Sequence, residues 1–133
     1  MKCTLSLPTE DITLDPHVSI ALYRILQEAL TNIVKYARAK SVHVEMTAAE
    51  DNVTLLIEDD GIGIPDGAQS NRLSHGITGM RQRVRALHGE FSIGRRPEGG
   101  TLIEVNIPIE RPRTEPDAPV QDAPPDAVTA RSA

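Results

Sequence analysis

The sequence predicts an α/β two-layer sandwich, in which helices cover one face of a mixed, mostly antiparallel sheet. Two segments repeat apolar residues at helical spacing, and two pairs of short alternating segments have the pattern of β-hairpins. The strands alternate apolar with polar residues, which is typical of a sheet that is covered on one side and wet on the other.

The composition narrows the class of protein. A chain of 133 residues fits one domain with a modest core. The net charge of −5 argues against nucleic-acid binding, which favours a basic face. The single cysteine, Cys3, excludes an internal disulfide and fits a reducing compartment, so we expect a cytoplasmic domain. We expect no membrane contact by this segment, because no apolar run approaches the roughly 18 residues of a membrane span. We also expect the isolated domain to be monomeric.

The first part of the chain predicts a short strand and a long helix. Residues 2–7 alternate apolar and polar side chains, as in a strand. Asp15 is a good helix N-cap, and Pro16 suits the first helical position. The helix then runs to about Ala37, with an apolar stripe at steps of three and four formed by Val18, Leu22, Ile25, Ala29, Ile33 and Tyr36.

Two hairpins and a second helix complete the predicted domain, residues 1–109. Residues 41–48 and 53–58 form the first hairpin, and residues 91–93 and 103–107 form the second, across a turn that contains Pro97, Gly99 and Gly100. Between the hairpins, residues 59–74 lack a regular pattern. A helix follows over about 77–88, with Gly89 as its C-cap.

Residues 110–133 form a tail of different composition. The tail is rich in proline, acids and alanine and has almost no large apolar side chains. Because it cannot bury enough apolar surface to offset the entropy cost of ordering, we predict that it is disordered.

The first candidate functional feature is a polar stripe on the first helix. Glu28, Asn32 and Lys35 follow one another at steps of four and three, so they share one side of the helix at the border of its apolar face. Such a stripe either lines a cleft that meets a charged ligand or is an ordinary solvated helix edge.

The second feature is the sequence DDGIG, residues 59–63, at the end of a strand. Strand alternation turns Asp59 toward the core side and Asp60 toward the wet side. A carboxylate on the core side needs a hydrogen-bond donor, either from the protein or from a ligand such as a heterocycle with an amino group. Gly61 and Gly63 would allow a tight turn and the close approach of a ligand. The alternative is an acidic turn without a ligand.

The third feature is HGITGM, residues 75–80, which we predict to open the second helix. The unpaired amides and positive dipole end of a helix N-terminus suit a phosphate, and Gly76 and Gly79 would permit close approach. The alternative is a glycine-containing helix start that binds nothing. Thr101 follows two glycines and faces inward, so its hydroxyl needs a partner, either nearby backbone or the ligand of Asp59.

Four motifs together resemble a known family in their order and spacing, namely EALTNIVK (28–35), DDGIG (59–63), HGITGM (75–80) and GGTLIEVNIP (99–108). From Val18 to Pro108, the chain looks like the ATP-binding catalytic domain of bacterial sensor histidine kinases, in the superfamily shared with gyrase and heat-shock chaperones. It is most similar to the subfamily with short ATP lids that signals to helix-turn-helix response regulators. The resemblance implies a Bergerat-type ATP-binding fold, with ATP and Mg²⁺ as cofactors.

The resemblance also implies a role for each matching residue. Asn32 would coordinate Mg²⁺ on the ATP phosphates, and Lys35 would be a charge partner of those phosphates. Asp59 would accept a hydrogen bond from the adenine amino group, with Thr101 close by. Glu28 would polarise or position the reacting groups.

The glycines of the motifs receive roles in the same way. Gly61 and Gly63 would line the pocket for the base. Gly76, Gly79 and the neighbouring amide of Met80 would contact the phosphates from the side of the lid.

Two departures from the family pattern stand out. Position 36, often histidine in this subfamily, is Tyr36. No histidine is followed by an acid in a long dimerising helix, and His17 precedes the first helix in a proline-containing turn. We therefore expect the phosphoacceptor histidine outside this chain.

The function that the resemblance implies is that of a protein histidine kinase catalytic domain. It would transfer the γ-phosphate of ATP to a histidine on a separate or missing dimerisation domain, with a response regulator downstream, and would be the cytoplasmic part of a sensor, soluble or membrane-bound. Two alternatives stay open: a non-catalytic ATP-binding interaction module, and an anti-sigma-type serine kinase. The sequence lacks GxxxxGK[ST], which excludes the P-loop way of holding phosphate.

Overall fold

Five strands form one sheet in the computed structural model, which describes residues 1–9, 12–63 and 71–109 and, within that range, the backbone alone of residues 71 and 72. The strands are β1 (Lys2–Ser6), β2 (Ser41–Ala48), β3 (Asn52–Asp59), β4 (Glu90–Arg95) and β5 (Thr101–Pro108). Their order across the sheet is β1-β2-β3-β5-β4. The predicted tail, residues 110–133, and residues 64–70 of the predicted irregular stretch lie outside the described residues.

The sheet confirms the predicted fold class and both hairpins. β1 pairs with β2 in parallel, whereas the other three pairs are antiparallel. The register sets Val44 opposite Ile57, and Ile57 opposite Ile103. Because strand side chains alternate in direction, this register collects the apolar residues of three strands on one face.

Two helices cover that apolar face and leave the other face polar. They are α1 (Pro16–Asn32), continued by a π-helical segment (Ile33–Ala37), and α2 (Asn71–Ala86). The side chains that form the core between helices and sheet are aliphatic, and the largest fully buried ones are Ile25, Ile57, Met80, Ile107, Val42, Val53, Val84 and Val105. In the part of the chain that the structure describes, no helix is both long and apolar enough to cross a membrane.

Both ends of the first helical segment are as predicted, and only the helix type of its last turn differs from a regular α-helix. Asp15 accepts a 2.7 Å hydrogen bond from the His17 amide, and Pro16 is the first helical residue. The helix reaches Ala37 as predicted, but its last turn widens into the π segment, which is followed by Arg38 in the left-handed conformation (φ 53°). Insertions of this kind re-aim the side chains that follow them, and they are frequent at functional sites.

The predicted start of α2 is wrong. The helix begins at Asn71 rather than at 77, so the HGITGM motif lies inside it and the last residues of the predicted irregular stretch are helical. The physical reason is an apolar row at helical spacing that begins before the motif and faces the core and the pocket beside it, formed by Leu73, Ile77, Met80 and Val84.

The end of α2 corrects the predicted C-cap. His88, not Gly89, adopts the left-handed conformation (φ 63°). The Gly89 amide donates to the Val84 carbonyl and the His88 amide to that of Arg85, both at 2.9 Å, which is the Schellman pattern. Gly89 is instead required because its backbone lies against the carbonyl of Asn106, where a Cβ atom has no room.

Candidate functional site

The first cavity of interest lies between the helix layer and the end of β3. It is an open pocket of about 480 Å³. Its walls are mostly aliphatic, and its polar lining residues among those the structure describes are Asn32, Tyr36, Asp59 and Thr101. This combination of apolar walls with a few convergent polar groups is typical of a small-molecule site.

Asp59 lines this pocket from the core side of the sheet, the side that strand alternation predicted. The residue is 2% exposed, although a carboxylate is costly to bury. The Gly61 amide donates to its Oδ1 at 2.8 Å, and the Thr101 backbone also donates to the carboxylate. Burial nevertheless raises the pKa of Asp59, assisted by the negative charge of Asp60 and opposed by the two amides and by Arg96. The site thus holds an acceptor-only group in apolar surroundings.

Asp60 faces solvent, again as predicted, and it has a structural role that the sequence did not reveal. Its Oδ1 accepts from the amides of Lys40 and Ser41 at 2.8 and 2.9 Å, and its Oδ2 accepts from the Ser41 hydroxyl at 2.9 Å. These bonds lower the pKa of Asp60, with those from Ser41 contributing most. Asp60 therefore fastens the end of β3 to the start of β2.

The two glycines of the DDGIG turn have different tasks. Gly61 lies against the carbonyl of Ala37 so closely that a Cβ atom would overlap it, and the Ile62 amide donates to that carbonyl at 2.8 Å. Gly61 thus docks the turn on the end of the π segment and is absent from the described lining of the pocket. Gly63 does line the pocket and has φ 82°, a conformation that favours glycine.

Arg96 is a residue of the site that sequence reasoning missed. Its guanidinium donates to the Asp59 carbonyl at 2.8 Å and pairs with Glu58 at 3.4 Å. Through these contacts Arg96 joins the β4–β5 turn to the end of β3, beside the pocket. The sequence offered only a weak signal, a basic residue in a turn whose partner lies 37 positions earlier.

A second cavity, which we call the arginine groove, runs between α1 and α2. It is open, has about 740 Å³ of empty space, and is lined by Arg24, Gln27, Glu28, Thr31, His75, Gly76, Gly79, Met80 and Arg83. Met80 lines both cavities, so the groove and the pocket are neighbours. Gly76 lies against the Glu28 carboxylate.

The structure therefore divides the predicted stripe on α1. Asn32 lines the pocket, Glu28 lines the arginine groove, and the exposed Lys35 belongs to neither lining among the described residues. The separation of Lys35 follows from the π segment, which changes the angle between residue 32 and the residues after it. Gly76 and Gly79 line the groove from inside α2, so their amides do not form the open helix N-terminus that we predicted.

An α/β sandwich whose apolar pocket is lined by a buried carboxylate, and by an amide side chain from the end of the covering helix, fits the class of domains that bind a small organic ligand. Residues 17–111 match the family described as Histidine kinase-, DNA gyrase B-, and HSP90-like ATPase. The chain belongs to this ATP-binding family.

Curated relatives support the same assignment. The chain is 42% identical over 93 residues to the signal transduction histidine-protein kinase/phosphatase DegS of Brevibacillus brevis, an alignment that covers 70% of this chain and 24% of that protein. It is 35% identical over 100 residues to the nitrate/nitrite sensor protein NarX of Escherichia coli, covering 74% of this chain and 16% of the relative. The chain thus spans about a quarter or less of the length of these relatives.

Solved structures agree on the fold. A histidine kinase domain of a blue-light activated histidine kinase from Erythrobacter litoralis superposes with a TM-score of 0.65 at 24% identity, covering 81% of this chain and 51% of that one. The mycobacterial sensor histidine kinase MprB superposes with a TM-score of 0.64 at 19% identity, covering 84% and 83%. At these identities the likeness bears on the fold alone.

Proposed function

We propose that this chain is the catalytic domain of a two-component sensor histidine kinase, which binds ATP with Mg²⁺ and passes the γ-phosphate to a histidine on a dimerisation domain. The observation that carries the proposal is the buried Asp59 carboxylate in the lining of an apolar pocket that Asn32 also lines. The family match and the kinase names of the relatives support it.

Recognition of the base follows from the chemistry of Asp59. An ionised carboxylate accepts hydrogen bonds and donates none, so it selects a ring that carries an amino group, as adenine does. The aliphatic walls, with Ile57 and Ile103 beside Asp59, suit the faces of the ring. The buried Thr101 lies in the same lining and is a further partner for the base. Gly63, with no side chain, leaves room at the wall.

The donor set suits Mg²⁺ shared with phosphates rather than held by protein alone. Among the described residues, no group of three or more His, Cys, Asp or Glu side chains is placed to hold a metal. Mg²⁺ usually keeps few protein ligands and shares substrate phosphates, a role that the side-chain oxygen of Asn32 can fill. When bound, Mg²⁺ would neutralise charge on the phosphates. Glu28, one turn before Asn32, would orient the attacking group or a water.

The remaining task of this chain is to position the nucleotide. Phosphoryl transfer asks little covalent chemistry of the protein, and alignment supplies most of the rate. Lys35 is exposed and would act on the phosphates through its charge rather than by close contact. The nucleophile would come from the dimerisation domain, after which a response regulator would receive the phosphoryl group. We place this chemistry in the cytoplasm, where ATP is available.

The deciding experiment combines the purified chain with γ-labelled ATP, Mg²⁺ and a histidine-bearing dimerisation domain of a related kinase. We expect acid-labile, base-stable label on the dimerisation domain and none on this chain. Acid-stable label on a serine of an added substrate would identify a serine kinase instead. Tight ATP binding without transfer to any of a panel of dimerisation domains would identify a non-catalytic binding module.

A further inference from the structure

The arginine groove carries more positive charge than its own residues balance. Two arginines line it, Arg24 from α1 and Arg83 from α2. The single acidic side chain in the lining that the structure describes is Glu28. Arg24 and Arg83 are exposed at the surface of their helices, and neither side chain makes an ion pair or hydrogen bond with another described residue.

Two other arginines, Arg81 and Arg96, have partners within the domain. Arg96 is held by Glu58 and by the Asp59 carbonyl, and Arg81 lies over the Phe91 ring at 5.3 Å. Among the described residues, none pairs with the side chains of Arg24 and Arg83, which lie on the two helices that line one cavity. Cations that face one cavity without a partner repel each other, and an anion between them removes that repulsion.

The position of the groove identifies the anion. Met80 lines both the groove and the nucleotide pocket, and Gly76 lies between Glu28 in the groove and Asn32 in the pocket. A nucleotide with its base on Asp59 and its phosphates beside Asn32 therefore extends its far end into the groove. The planar fork of an arginine matches two oxygens of a phosphate, and two such forks suit a terminal phosphate with its extra charge.

We propose that Arg24 and Arg83 bind the terminal phosphate of ATP and make this domain prefer ATP over ADP. The inference rests on the proposed function, because it takes the base pocket at Asp59 as the anchor of the nucleotide. It assigns to the two arginines a positioning role for the phosphoryl group that is transferred, and it explains how the product nucleotide is released once that group is gone.

The test is calorimetric titration of the full chain and its Arg24→Ala and Arg83→Ala variants with ATP and with ADP, each in the presence of Mg²⁺. We expect each variant to lose about tenfold in ATP affinity, the size of one charge-assisted hydrogen bond at an exposed site, while ADP affinity stays within about twofold. Arg85→Ala is the matched control, since Arg85 is exposed on the same helix and lines neither cavity. It should leave both affinities unchanged.

Each outcome decides a separate point. Equal loss of ATP and ADP affinity in the variants, or no loss of either, overturns the role of the arginines and leaves the proposed function standing. Failure of the unmodified chain to bind ATP or ADP overturns the proposed function itself. The preference for ATP over ADP should weaken in the unmodified chain as the salt concentration is raised, because exposed charge pairs are screened by ions. The same preference should not depend on salt in a variant that carries both Arg24→Ala and Arg83→Ala. This pair of results supports binding of the terminal phosphate by the two arginines.

Discussion

Gly76 of α2 lies so close to the Glu28 carboxylate of α1 that a Cβ atom at position 76 would overlap Oε2. Gly79, one turn further along α2, has no neighbouring atom within 4 Å of the place that a Cβ atom would take. Two glycines of one motif therefore differ in what they do. Gly76 makes room for an acidic side chain at the border between the two cavities, whereas Gly79 leaves open space in the arginine groove.

This difference predicts different effects for the two alanine variants. Gly79→Ala should raise the free energy of unfolding of the nucleotide-free protein by about 0.5–1 kcal/mol, because alanine is the better helix former and meets no neighbour. Gly76→Ala should gain less, since Glu28 must rotate away, and it should slow phosphoryl transfer more than Gly79→Ala does. Urea denaturation and a transfer assay measure the two effects. Equal stabilisation by both substitutions would contradict the close packing of Gly76 on Glu28.

We expect the two neighbouring acids of the DDGIG turn to have different roles, Asp59 in nucleotide affinity and Asp60 in stability. Asp59→Asn should reduce nucleotide affinity by about 2–4 kcal/mol, because a buried acceptor-only group becomes one that also donates. Asp60→Asn should leave affinity nearly unchanged and lower thermal stability, because Asp60 fastens β3 to β2. Calorimetry with ADP and thermal denaturation test the pair. Similar affinity losses in both variants would refute the proposal that Asp59 binds the nucleotide base.

The same two residues predict opposite responses of stability to pH. The pKa of Asp59 is raised above its ordinary value of 3.8, so between 3.8 and the raised value the folded protein retains a proton that the unfolded chain has released. Stability therefore falls as pH rises through that window. Asp60 has a lowered pKa, so its stabilisation is present above 3.8 and is lost as pH falls through the lowered value.

Unfolding free energies of the unmodified chain and the two Asn variants across the acidic range check this sign. The difference between Asp59→Asn and the unmodified chain should move in favour of the variant as pH rises. The difference for Asp60→Asn should move in favour of the unmodified chain. A common direction for both would contradict the environments described for the two carboxylates.

We expect Asn32 to matter for phosphoryl transfer with Mg²⁺ and not for the affinity of metal-free ADP. Asn32→Ala should bind ADP without Mg²⁺ nearly as well as the unmodified chain, because the base pocket is built around Asp59 and Thr101. Its phosphoryl transfer from ATP with Mg²⁺ should fall by orders of magnitude, since the phosphates lose their alignment. Gln82→Ala, which removes an exposed amide from α2, serves as the control. A large loss of metal-free ADP affinity in the Asn32 variant would contradict this division.

The contacts of Arg96 with Glu58 and Asp59 predict that the β4–β5 turn stabilises the pocket. Arg96→Ala should lower both the free energy of unfolding and nucleotide affinity by about 1–2 kcal/mol, because the Asp59 carbonyl loses its donor and Glu58 its partner. Glu98→Ala should change neither, since that side chain is 72% exposed and lies 3.8 Å from the guanidinium. Denaturation and calorimetry distinguish the two variants. An Arg96 variant with unchanged affinity would show that these contacts do not shape the pocket.

Several features were predictable from the sequence because they depend on short-range pattern. Strand alternation has a period of two residues, so it assigned Asp59 to the buried side and Asp60 to solvent. Apolar periodicity predicted α1, and Asp15 with Pro16 predicted its first turn. The two hairpins followed from alternating segments joined by turn residues. Each of these inferences needs only neighbours within about ten positions.

Other features were decided by contacts between distant segments. The early start of α2 depends on Leu73 facing a pocket built by other elements, and the π segment ends where Gly61 and Ile62 dock on Ala37. The contact of Arg96 with Asp59 joins residues 37 positions apart. The division of Glu28 and Asn32 between two cavities depends on where α2 crosses α1. Local propensities cannot encode such distances and crossings, because only the packed tertiary structure brings these atoms together.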